Sequence, residues 1–138
     1  MVLIVLLNKK GFTLVEVLIA LVVSLLVFLA LMQTALVSID ANMINVLRDE
    51  AVSIAEMRMN EARNIPFDNL AEGSTDVSTT RNFRNIANFS YNVTRTVSNL
   101  GTDNKQVNIT ITWEWKDKTL TNGNPYTHSI STIVRKPW

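Results

Sequence analysis

Cysteine is absent from this 138-residue chain, and histidine occurs once, at His128. Disulfides, thiolate catalysis and cysteine-ligated zinc are thereby excluded. The single histidine, set among Thr, Ser and Ile, reads as a structural or surface residue. No Ser-His-Asp set, no HExxH, no Gly-rich phosphate loop and no close cluster of metal-type ligands occurs. Paired acids such as Asp49-Glu50 stand beside Arg48 and read as a solvated helix face. The chain is therefore expected not to be an enzyme, and to carry no cofactor and no metal. Net charge is also scarce, at +1. No basic excess exists to displace counterions, so nucleic acid is not predicted as a partner. Glycine and proline number four and three, and neither occurs between Phe12 and Ile65.

What is present is a long apolar run. From Val17 to Ile39 there are 23 uncharged residues, with only Ser24, Gln33, Thr34 and Ser38 polar. At a helical rise of ~1.5 Å per residue this spans roughly 35 Å, enough to cross a hydrocarbon core of ~30 Å. Lys9 and Lys10 flank the run on its N-terminal side, whereas Asp40 opens its C-terminal side and the first cation beyond is Arg48. The positive-inside bias then places residues 1–10 in the cytoplasm and 40–138 outside it. A secretory signal peptide has an apolar core of only ~7–15 residues followed by a small-residue cleavage site, and this run fits neither feature. A plain single-pass anchor explains the run but not Glu16, an acid placed just inside it, where an unpaired carboxylate is costly.

The string Lys9-Lys10-Gly11-Phe12-Thr13-Leu14-Val15-Glu16-Val17-Leu18-Ile19-Ala20-Leu21 resembles the N-terminal signature of type IV pilins and of type II secretion pseudopilins. Its continuation is somewhat closer to the minor pilins called PilV and related pseudopilins than to major fibre subunits. The resemblance implies a prepilin leader, residues 1–11, cut between Gly11 and Phe12 by a prepilin peptidase in the membrane. It further implies N-methylation of Phe12 and a role for Glu16 in pairing with the N-terminal amine of a neighbouring subunit. Self-pairing across one helical turn, Phe12 to Glu16, is the competing arrangement. Lys9 and Lys10 would orient the chain in the membrane. The implied partners are the peptidase, other pilin or pseudopilin subunits, an inner-membrane assembly platform and the lipid bilayer. The implied location is the bacterial inner membrane, then the pilus or pseudopilus. Two features depart from the family: the leader Met1–Leu7 is apolar, and no proline interrupts the helix before Pro66.

Past Asp40 the apolar residues thin to a stripe. Ile44, Leu47, Ala51, Ile54, Ala55, Ala62 and Ile65 recur at three- and four-residue spacing, with charges off the stripe. The expectation is one helix over residues 12–65, some 80 Å long, whose membrane and assembly half is 12–40 and whose amphipathic half is 41–65. Pro66 ends it. Met43, Met57 and Met59 read as core or gap-filling residues. Residues 66–88 read as a connecting loop with one short helical turn, a candidate contact surface for neighbouring subunits. Residues 89–138 alternate with period two and predict about three antiparallel strands. Phe89, Tyr91, Val93 and Val97 share one face, as do Val107, Ile109, Ile111, Trp113 and Trp115; Tyr126–Arg135 is less regular, as at an edge or bulge. Trp113 and Trp115 read as core, and Trp138 as open to interaction. Asn88, Asn92 and Asn108 begin Asn-x-Ser/Thr triplets, which Asn/Thr-rich strands produce often, and no glycan is inferred. The fold expected is α+β and pilin-like, the amphipathic helix covering the apolar face of the sheet. The function expected is that of a minor type IV pilin. A type II secretion pseudopilin, or a membrane-anchored adhesion module using its sheet domain alone, are the alternatives.

Overall fold

With no glycine or proline to interrupt it, the N-terminal stretch forms one helix, α1 (Leu14–Arg63, 50 residues). The structure, a computed structural model, describes residues 11–84, 86–116 and 124–137. A 3-10 turn (Phe67–Asn69) follows Pro66. Four strands come next: β1 (Gly73–Phe83), β2 (Ile86–Asn99), β3 (Asn104–Trp113) and β4 (Tyr126–Arg135). They form one antiparallel sheet in the order β1-β2-β3-β4, so each strand pairs with its neighbour in sequence. Chain contacts divide the protein into two units at Asn42/Met43.

In the first unit, residues 11–39 are exposed along every face of the helix. Among the described residues nothing covers this apolar surface, which is long and apolar enough to cross a membrane. Within it, Thr34 Oγ1 donates to the Ala30 carbonyl at 3.0 Å, satisfying that hydroxyl inside the helix.

In the second unit, α1 lays its stripe on the sheet. Leu47, Ala51, Ile54, Ala55, Met59 and Ala62 are buried. They meet Tyr91, Val93 and Val97 of β2 and Val107, Ile109, Ile111 and Trp113 of β3. The register pairs Val93 with Ile111 and Val97 with Val107, which puts the two expected apolar sets on one face. The opposite face carries Ser, Thr and Asn, so the sheet is solvated on one side. Tyr91, fully buried, donates its hydroxyl to the Leu47 carbonyl of α1 at 3.0 Å. Burial, reinforced by the nearby Glu50 charge, raises the pKa of that phenol well above its ordinary value. Lys105 docks the 3-10 turn: its Nζ donates to the carbonyls of Phe67 (2.8 Å) and Leu70 (2.9 Å) and lies 4.5 Å from the Phe67 ring centroid.

The sheet has four strands rather than about three, because part of the expected 66–88 loop is a strand. Residues 73–83 pair with β2 from Gly73↔Val97 to Arg81↔Phe89, with an irregularity between Arg81 and Phe83. Little apolar alternation marks β1, since polar contacts hold it to the helix. Arg81 Nε donates to Glu50 Oε1 at 2.8 Å, and Arg58 Nη2 to Thr79 Oγ1 at 3.3 Å. Strand β4 is a regular edge strand, with Ile130 facing the core and Ile133 on the solvated face. Residues 117–123, between β3 and β4 in sequence, and Trp138 lie outside the described residues.

Candidate functional site at the start of the helix

Glu16 stands on the first turn of α1, and its carboxylate does not point idly into the surroundings. Thr13 precedes the helix and donates twice to Glu16 Oε2, through its backbone N–H at 2.8 Å and its Oγ1 at 2.9 Å. In return the Glu16 backbone N–H donates to Thr13 Oγ1 at 3.2 Å. This reciprocal pair is a capping box, in which Thr at the N-cap and Glu three residues on each satisfy one of the helix's orphan N–H groups. Two more N–H groups of the terminus stay unpaired by this device, and the carboxylate itself favours the positive end of the helix dipole.

The capping box explains why the helix begins where it does. Gly11, Phe12 and Thr13 lie outside it, in non-helical backbone, and all are exposed. A Cβ at Gly11 would meet nothing within 4 Å among the described residues. Phe12 is 88% exposed, at the start of an otherwise apolar surface. Phe12, Glu16, Val17 and Ala20 line a shallow, largely apolar groove. The acid thus sits within an apolar patch, with Oε2 occupied and Oε1 accepting no hydrogen bond from any described residue.

Phe12 and Glu16 therefore share one groove although Phe12 precedes the helix, and Gly11 comes immediately before Phe12 in sequence. Lys9 and Lys10, expected to orient the chain, lie outside the described residues. What sequence reasoning missed is Thr13. Its signal was available: Thr13-Leu14-Val15-Glu16 is a Ser/Thr-x-x-Glu string directly before an apolar run. Elsewhere, among the described residues, no group of three or more His, Asp or Glu side chains could hold a metal ion.

Comparison with known proteins bears on this end of the chain alone. Residues 6–32 match the family model for the prokaryotic N-terminal methylation motif. Searches among curated proteins and among solved structures found no match to the chain. The chain thus carries a type IV pilin-like prepilin signature, and over that segment it is similar to type IV pilin and pseudopilin subunits. The motif implies processing by a prepilin peptidase and assembly with other pilin subunits, and the exposed apolar helix fits membrane anchoring before assembly.

Proposed function

We propose that this protein is a minor type IV pilin: a structural subunit, not an enzyme, stored in the inner membrane and then built into a filament. The peptidase would cut the exposed, non-helical Gly11–Phe12 bond, and Phe12 would then carry the methylated amine. The observation that carries this reading is the placement of Glu16. An acid in the exposed apolar half of α1, four residues from the one that becomes the N-terminus, is hard to account for in a plain anchor.

Its capping box sharpens the mechanism. Thr13 fixes the carboxylate's direction through Oε2, leaving Oε1 to accept a proton-bearing nitrogen from a neighbouring subunit. A new ammonium at Phe12 and a carboxylate in apolar surroundings attract strongly because little water screens them. Each subunit then offers one amine and one acid, so the same contact repeats along the filament and sets its axial step. The exposed apolar faces of α1 bury one another as lipid is exchanged for neighbouring helices.

Glu16→Ala tests this division of labour. The variant is expected to lose its leader at the wild-type rate, judged by gel mobility, while its recovery in sheared filaments drops at least several-fold. Equal recovery of the variant and the wild type would show that no charge pairing operates at this acid.

A further inference from the structure

The core-facing alternation of β2 carries one charge. Val93 and Val97 are buried, and Arg95 stands between them on the same face, paired with Thr75 of β1 and Ile109 of β3. A guanidinium keeps its charge at every physiological pH, so it needs an anion or full hydration. Arg95 is only partly exposed, and it makes no hydrogen bond or ion pair with any described residue.

Arg95 lines a cavity of about 130 Å³ on the helix-covered side of the sheet. Arg58 and Glu61 reach it from α1, and Thr75, Val77, Val93 and Ile109 from the strands. Arg58 donates from Nη1 to Glu61 at 2.9 Å and from Nη2 to Thr79 at 3.3 Å, while its Nε is buried with no partner. The lining therefore holds two cations and one anion, and that anion is already paired with Arg58. One unmatched positive charge calls for a monoanion. A guanidinium presents its donors as a planar fork, which matches the two oxygens of a carboxylate. The wall of Val77, Val93 and Ile109 gives no hydrogen bond to a fully hydrated ion such as phosphate, but it offers apolar surface to a methylene stem. Val77 alone is 45% exposed, although its strand position turns it toward the core.

We propose that this cavity is a binding site for a monocarboxylate carried on a short aliphatic stem. The carboxylate matches the charge of Arg95 and draws on the unpartnered donor of Arg58, and the stem covers Val77 and the valine and isoleucine beside it. The site lies wholly within the exported domain, so it stands whether or not the chain enters a filament. Two sources supply this chemistry: a free short-chain carboxylate in solution, or an aspartate or glutamate side chain of an unlike subunit.

Sodium butyrate is the probe, titrated into the full chain in detergent while the arginine Nε–H resonances are followed by NMR. Saturable shifts are expected at Arg95 and Arg58. Butyramide, the neutral isostere, and sodium chloride at equal ionic strength should bind about tenfold more weakly or not at all. Acetate, which lacks the stem, should bind several-fold more weakly than butyrate. Arg95→Gln should lower the affinity for butyrate by about tenfold, and Arg95→Lys, which keeps the charge without the fork, by less. Backbone amide spectra report whether each variant is folded. No saturable response, an equal response to butyramide, or a response unchanged in both folded variants overturns the proposal. The source is read through Thr75→Cys, an exposed lining position in a chain with no native cysteine. In the membrane-held chain butyrate should slow maleimide labelling of this thiol. Slow labelling in filaments that Arg95→Gln accelerates assigns the carboxylate to an unlike subunit, whereas fast labelling that butyrate still slows assigns it to solution. Labelling indifferent to both butyrate and Arg95→Gln overturns the proposal. If the chain is neither cleaved nor assembled, the filament reading fails and the titration in detergent still decides this one.

Discussion

The two halves of α1 have the same backbone and opposite surroundings. Residues 14–39 are exposed and apolar on all sides, with one acid at their start. Residues 47–62 bury one stripe against the sheet and turn Asp49, Glu56 and Asn60 outward. The second half obeys the rule for a surface helix, a single apolar stripe with polar residues elsewhere, and its partner is within the chain. The first half breaks that rule: no described residue covers it, and its exposed apolar surface fits membrane anchoring before assembly. A helix apolar on every face is a demand for company, whereas a helix with one stripe has already found it.

The sharpest way to break this contrast is to cut side chains in each half and follow unfolding of the full chain in detergent by tryptophan fluorescence. Ile54 has no exposed surface. Ile54→Ala is expected to destabilise the exported domain by about 2–5 kcal/mol. Leu26→Ala, at a position 62% exposed, should leave the same transition in place. Equal effects at the two sites would dissolve the distinction.

Tyr91→Phe comes next, with a loss of about 1 kcal/mol for the hydroxyl that reaches the Leu47 carbonyl. The same group sets a pH signature. Its pKa is raised in the folded chain above an ordinary value of 10.0, by burial first and by Glu50 second. The neutral phenol's contribution is then complete below pH 10 and is lost as pH climbs past it. Wild-type stability should therefore fall more steeply than that of Tyr91→Phe above pH 10, and parallel curves would refute the assignment. Thr13→Ala is expected to cost the start of α1 about 1 kcal/mol of capping energy. Amide exchange should quicken over the first helical turn and stay unchanged from Leu47 onward. The smallest effect is reserved for Arg81→Ala. Its bridge to Glu50 is about one-third exposed on both sides, so solvent screening limits the loss to below ~1 kcal/mol.

Both halves of α1 were legible in the sequence, because hydrophobic periodicity reports which faces are covered. Strands β2 and β3 were legible for the same reason, through Tyr91, Val93 and the run from Val107 to Trp113. Strand β1 was not. Its inward positions are Thr75, Val77, Thr79, Arg81 and Phe83, and two of them are tied to α1 by charge and hydroxyl contacts that leave little apolar period. The enrichment in β-branched Thr and Val was the one local hint, and it competes with the turn-forming Ser, Asp and Asn around it. At the candidate site, Glu16 declared itself by being charged in an apolar run. Thr13 was marked more weakly, by the Thr-x-x-Glu spacing alone, and its role as the cap emerges with the geometry.

The central claim is that the apolar half of α1 is an assembly element made competent for pairing by cleavage at Gly11–Phe12. Intact mass of the protein, drawn from native membranes with an active prepilin peptidase, tests it most directly. The account predicts a chain that begins at Phe12 and carries one added methyl group. A chain that keeps Met1–Gly11 under those conditions would contradict it.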